Sequence, residues 1–176
     1  IVTYVPTSDY PFVNDGPSTD TCTFQANDGS LFTPLSNIST LTITVNPVND
    51  APVTDDDDET IDEGGTATFD LSTLTEDADI TDTFTFTLVD DADNGDCVIN
   101  NIDGTLTYTP SADFPGTNDP AEGENVNTCT FYATDNMAEG NSDSNISTLT
   151  ITVLPVNDAP VTSDDDKTID EDGTAT

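Results

Sequence analysis

Threonine alternates with large apolar residues in three stretches: Thr40-Leu41-Thr42-Ile43-Thr44-Val45, Thr83-Phe84-Thr85-Phe86-Thr87-Leu88 and Thr148-Leu149-Thr150-Ile151-Thr152-Val153. A period of two, with β-branched residues on the wet face, marks a half-buried antiparallel strand. No stretch carries the helical period. Between residues 51 and 158 the alternation predicts seven strands, at 52–54 with 59–62, then 65–71, 82–89, 96–100, 104–109, 127–134 and 147–154. Turn clusters separate them, among them Asp90-Asp91-Ala92-Asp93-Asn94-Gly95 and Ile102-Asp103-Gly104. Seven short strands in about 100 residues is the count of a Greek-key β-sandwich, so the predicted class is all-β.

The pattern recurs. Val48-Asn49-Asp50-Ala51-Pro52-Val53-Thr54 returns 108 residues later as Val156-Asn157-Asp158-Ala159-Pro160-Val161-Thr162. Asn37-Ile38-Ser39-Thr40-Leu41 returns as Asn145-Ile146-Ser147-Thr148-Leu149. The offset is 104 between Tyr4 and Tyr108 and 107 between Cys22 and Cys129, so the length differences fall in turn-like stretches. A period of domain size predicts like modules in series. Residues 1–50 read as the C-terminal half of one module, 51–158 as a complete one, and 159–176 as the first strands of the next. Pro52 and Pro160 stiffen each exit.

Charge narrows the chemistry. One Lys and no Arg or His stand against 36 acids, for a formal charge of -35. Twenty-nine of the acids are Asp, a turn residue and a ligand for hard cations. Such a chain repels nucleic acid and anionic membrane surfaces. It offers no Ser-His or Cys-His pair, no imidazole for zinc and no guanidinium for phosphate. Lys167 takes the place of Glu59 one period earlier, which excludes a Lys-Asn isopeptide staple in each module. No apolar run approaches membrane-spanning length, so direct membrane insertion is not expected.

Cys97 shares a strand face with Ile99, and Cys129 with Phe131 and Ala133. Both point inward by parity, which predicts a buried Cys97–Cys129 disulfide; three free core cysteines are the alternative. Cys22 corresponds to Cys129, and its expected mate would precede residue 1. Asn37-Ile38-Ser39 and Asn145-Ile146-Ser147 are glycosylation sequons at equivalent positions, making Asn37 and Asn145 acceptor candidates.

Five further segments, in this order and spacing, carry a family likeness: Asp62-Glu63-Gly64-Gly65-Thr66, Asp77-Ala78-Asp79, Asp103-Gly104-Thr105-Leu106-Thr107-Tyr108, Ala133-Thr134-Asp135 and Val156-Asn157-Asp158-Ala159-Pro160. The whole chain resembles the cadherin-like repeats of large bacterial and archaeal surface adhesins and extracellular filament proteins, a branch of immunoglobulin-like sandwiches. The resemblance implies tandem seven-stranded Greek-key modules with calcium at their junctions. The junction around Asn49 and Asp50 would receive Asp77, Asp79 and Asp135 from the following module and Asp9 from the preceding one. The next would use Glu63 and Asp113 with Asn157 and Asp158 of the linker, and Glu171 would serve a further junction. Pro47 and Pro155 stand where classical linkers carry an acid, which implies one or two ions per junction. Asp55-Asp56-Asp57-Asp58 and Asp164-Asp165-Asp166 read as a solvated face.

Three functions compete. The first is a structural module of an extracellular stalk, filament or adhesin, stiffened by calcium; its partners would be the neighbouring modules, and copies would self-associate into filaments. The second is a module whose loops bind a surface glycan or protein. The third is an acidic surface coat adapted to brine without a specific metal. Paired-carboxylate glycosidase chemistry has little to recommend it, because these carboxylates sit in the turns of a scaffold-like repeat.

Overall fold

A computed structural model describes residues 1–11, 16–32, 34–116, 125–137, 142–157, 159–160 and 162–174. Its strands are β1 (Ser18–Phe24), β2 (Ser39–Val45), β3 (Val53–Thr54), β4 (Asp57–Asp62), β5 (Ala67–Asp70), β6 (Thr75–Glu76), β7 (Phe84–Asp90), β8 (Gly95–Asn100), β9 (Thr105–Pro110), β10 (Val126–Asp135) and β11 (Ser147–Leu154). No helix is present among the described residues. The all-β class read from the alternation is the observed one.

From β3 to β11 the chain forms a two-layered sandwich. One sheet has the order β4-β11-β10-β7 and the other β5-β9-β8, with β3 and β6 as a short pair at the edge. Neighbours are antiparallel except β4 and β11, which run parallel from Asp57 opposite Leu149 to Asp62 opposite Leu154. Alternation places one set of side chains inside. Phe69, Phe86, Leu106, Tyr108, Phe131, Ala133, Leu149, Ile151 and Val153 form the core, and the Phe86 and Phe131 rings meet edge to face at 6.3 Å. Each large side chain sealed there contributes roughly 1.5–3 kcal/mol. Threonines occupy the alternate positions.

Cys97 on β8 and Cys129 on β10 are disulfide-bonded across the sandwich, with Cα atoms 6.6 Å apart. Asn127, a buried neighbour on β10, donates from Nδ2 to the Tyr108 hydroxyl, which donates to the Asn94 carbonyl. This network satisfies the polar atoms that the core would otherwise strand.

Several expectations change. The first predicted strand divides into β3 and β4, and β6 joins the set. Residues 159–176 were expected to hold the first strands of the next module; among the described residues 159–160 and 162–174 none is a strand, and none pairs with a described strand. Tyr4, the counterpart of Tyr108, likewise lies outside any strand. Among the described residues β1 and β2 pair only with each other, from Ser18 opposite Val45 to Phe24 opposite Ser39. Their inward-type face stays open: Leu41 is 39% exposed and Phe24 51%, whereas Leu149 and Phe131 in the corresponding places are 0%.

Candidate metal centre

The acids of one end of the sandwich converge on the segment that leads into it. Val45 ends β2, and residues 46–52 lead from it to β3 without regular structure. Along this run the Asp50 amide donates to Asp79 Oδ2 at 2.9 Å, and Asn49 Nδ2 donates to Asp135 Oδ2 at 3.0 Å. Asp79 lies in the connection between β6 and β7, and Asp135 is the last residue of β10; both are buried.

Asp77-Ala78-Asp79 folds as its spacing suggests. The Asp79 amide donates to Asp77 Oδ1 at 2.9 Å, which forms an Asx turn. The Asp82 amide then donates to the Asp79 carbonyl at 3.0 Å, which closes the next turn and brings a third acid round. Carboxylate oxygens of Asp77, Asp82 and Asp135 lie within 4.8 Å of one another. Asp135 Oδ1 also accepts from the Met137 amide, at 2.9 Å.

Two shallow hollows adjoin this cluster. One is bounded by Asp9, Asp50, Ala51, Glu76, Asp77 and Ala78. The other is bounded by Pro6, Asp9, Tyr10, Val45, Val48, Asp50 and Asp79. Asp9 thus reaches the acids of the following sandwich from a turn in which its φ is +58°. Asp113 repeats that conformation at +57°, one offset of 104 later.

Like charges this close are costly. Two carboxylates about 4–5 Å apart repel by roughly 3–4 kcal/mol at an effective dielectric near 20. The sole cationic side chain, Lys167, is elsewhere and pairs with Asp165 at 3.5 Å. Asp77 carries the consequence. Burial pushes its carboxyl above the ordinary range, the Asp79 amide pulls it back, and the charges of Asp79, Asp135 and Asp50 push it up again. Its Oδ2 is buried with no hydrogen-bond donor. A buried carboxylate oxygen without a donor, facing two further carboxylates, fits a hard divalent cation; calcium takes six to eight oxygens in irregular geometry.

Of the residues expected at this junction, Asn49, Asp50, Asp77, Asp79 and Asp135 are joined by direct bonds or close approach, and Asp9 borders the same hollows. Asp82 belongs to the cluster and was not foreseen; its signal is the third acid of Asp77-x-Asp79-x-x-Asp82. The second set is less gathered. Glu63 Oε2 accepts from the Val156 amide at 3.1 Å, and the Glu63 amide donates to the Leu154 carbonyl at 2.7 Å, which ties it to the exit of β11. Asp158 lies outside the described residues, and Glu171 is exposed in a turn.

A second acidic surface lies at the far edge, where Asp90, Asp91 and Asp93 face Asn127 and Thr128. Asp91 Oδ1 there accepts from the Cys97 amide at 2.7 Å and so serves the start of β8. The exposed Asp55-Asp56-Asp57-Asp58 run is partly strand, and Asp56 Oδ1 accepts from the Thr148 amide at 2.7 Å.

Residues 49–152, running from the linker asparagine almost to the end of β11, match the family described as the bacterial Ig domain. The chain belongs to that family. No curated protein sequence matches it. Among solved structures, this bacterial Ig chain is similar to an endo-fucoidan hydrolase of glycoside hydrolase family 107, at 19% identity and a TM-score of 0.41. A variant of the same hydrolase gives 18% and 0.39. Each comparison covers 83% of this chain and 20% of the hydrolase, so the chain spans about a fifth of those proteins. Bacterial Ig modules and a buried disulfide together point to an extracellular or cell-surface setting.

Proposed function

We propose that this bacterial Ig chain is a non-catalytic spacer of a surface or extracellular protein, and that calcium stiffens the junction preceding its complete module. Asp77, Asp79, Asp82 and Asp135 would hold the ion, with Asn49, Asp50 and Asp9 completing the set from the linker and the preceding half-module. The observation that carries this reading is the buried Asp77 Oδ2, which has no donor and faces Asp82 and Asp135. Calcium would supply the positive charge that the amino-acid composition withholds. The protein's own part is to hold four carboxylates on two turns and a strand end, so that little reorganisation is needed on binding. Linker residues sharing those ligands would fix the angle between the two bodies.

Titration with calcium, followed by thermal melting and small-angle scattering, tests this. The expected result is a higher midpoint and a longer, straighter particle when calcium is added. Equal ionic strength supplied as sodium chloride should not reproduce it. If sodium chloride works as well as calcium, the acids serve hydration in brine, and the metal reading fails.

A further inference from the structure

Four strands bound the two main sheets of the complete sandwich: β4, β7, β5 and β8. By sequence β7 is the one most open to another chain. Thr83-Phe84-Thr85-Phe86-Thr87-Leu88-Val89 runs for seven residues with no charge, glycine or proline. β4 carries Asp57, Asp58, Glu59 and Asp62, β5 ends on Asp70, and β8 holds Asp96 near its start. An uncharged, β-prone window on a sheet edge is a template for a further strand. Among the described residues no strand pairs with β7 on its outer side.

Asn101 occupies that side instead. The Phe86 amide donates to its Oδ1 at 2.6 Å, and its Nδ2 donates to the Phe86 carbonyl at 3.1 Å. One side-chain amide thus takes both backbone groups that a paired strand would take. Outward-facing groups fall on alternate residues, so Phe84 and Leu88 share this side and Phe86 is the middle of the three. The other edges have lighter counterparts. Asp91 accepts from the Cys97 amide of β8, and Glu59 from the Thr68 amide of β5, each covering a donor alone.

A turn of the opposite sheet holds Asn101 in place. It lies between β8 and β9, where the Ile102 amide donates to Asn100 Oδ1 at 3.0 Å and the Gly104 amide to the Asn100 carbonyl at 2.9 Å. Asn100 Nδ2 donates to Asp103 Oδ2 at 2.9 Å. Gly104 has a φ of +70°, its carbonyl accepts from the Leu71 amide at 2.8 Å, and a Cβ on it would collide with Ser72. The bonds that close the turn come from Asn100, Asp103 and Gly104, which leaves the Asn101 side chain for the edge of β7.

We propose that Asn101 is an autoinhibitory plug, which keeps β7 from pairing with β7 of a second copy of this chain. The two strands would meet antiparallel about a twofold axis, with Phe86 opposite Phe86, Phe84 opposite Leu88 and Thr85 opposite Thr87. This register continues the dry and the wet face of the sheet, and it joins the copies where neither carries charge. The plug leaves modules free to work end to end without fusing side by side. It goes beyond the spacer reading and makes no use of the metal.

The test uses the full chain with Cys22→Ser, in chelator and in moderate salt to screen the net charge. Sedimentation compares this parent with Asn101→Ala, and circular dichroism reports whether each is folded. The expected result is a monomeric parent and association of Asn101→Ala at least about tenfold tighter. In the Asn101→Ala chain, a Thr85→Cys copy mixed with a Thr87→Cys copy should form disulfide dimer on oxidation. The yield should be about tenfold above that of the same pair with Asn101 intact, or of two Thr87→Cys copies out of register. Asn101→Ser, which suits a turn but is too short for both bonds, should give the same readings if the alanine variant unfolds. A folded variant that stays monomeric overturns the proposal, even if it melts lower than the parent, and so does cross-linking that is equal with and without Asn101. Unfolding of both variants would show a folding role in place of a blocking one, and would overturn it too.

Discussion

Asn145 grips the backbone of Thr54 from both sides. Its Oδ1 accepts from the Thr54 amide at 3.0 Å, and its Nδ2 donates to the Thr54 carbonyl at 2.8 Å, across 91 residues of sequence. Thr54 is buried, so water cannot replace these bonds. Asn145→Ala should therefore cost about 1–3 kcal/mol in urea denaturation, the range for leaving buried backbone groups without partners. Asn37→Ala, whose side chain bonds only next to itself, should cost less than half as much.

The same grip bears on glycosylation. Nδ2 of Asn145 spends one proton on Thr54 and directs the other at Ser147 Oγ, 3.0 Å away. A glycan bonded to that nitrogen leaves a single N–H. Asn37 bonds only to its neighbours Ile38 and Ser39 and carries no such load. When the folded chain meets a glycosylating machinery, occupancy at Asn37 should exceed occupancy at Asn145 several-fold. Glycopeptide mass spectrometry measures the ratio, and equal occupancy would contradict this account.

Cys97 and Cys129 close a loop spanning 32 positions between the two sheets. Replacing both with Ala should lower stability by about 3 kcal/mol, mainly through a freer unfolded chain. Chemical denaturation of the pair variant against the parent gives the value directly. Loss below about 1 kcal/mol would mean that packing alone holds β8 against β10.

Asp77 gives a pH signature. Its folded-state carboxyl is raised above the unfolded value, chiefly by burial. Its stabilising contribution is therefore complete below about pH 3.9, and is lost as pH rises through the raised value. In chelator, Asp77→Asn should remove that part of the pH dependence and leave stability at pH 7 unchanged or higher. The variant should also lose most of the calcium-induced rise in melting midpoint. A variant that melts lower in chelator at pH 7, yet still responds fully to calcium, would show Asp77 to be structural only.

Much of this was legible before any coordinates. Threonine alternation located β7 and β11 within a residue or two, because one face of each strand is dry and the other wet. Parity paired Cys97 with Cys129 for the same reason. β6 escaped notice, since Thr75-Glu76 is too short to show a period. Asp82 escaped because Asp77-Ala78-Asp79 reads as a complete pair until the following turn is seen to fold back. Asn145 announced itself as a sequon, and nothing local reveals that its amide is needed 91 residues away. Residues 162–174 repeat the sequence of a strand without being one.

One feature of the sandwich matters most under tension. The entering strand β4 and the leaving strand β11 lie side by side and point the same way. A pull on the two ends of the module drags them in opposite directions along their shared ladder. Its hydrogen bonds are then loaded together in shear, rather than peeled one at a time. Should the ladder rupture, the Cys97–Cys129 link still withholds its enclosed loop from the lengthening chain. The module is arranged to resist stretching first and to limit its extension afterwards.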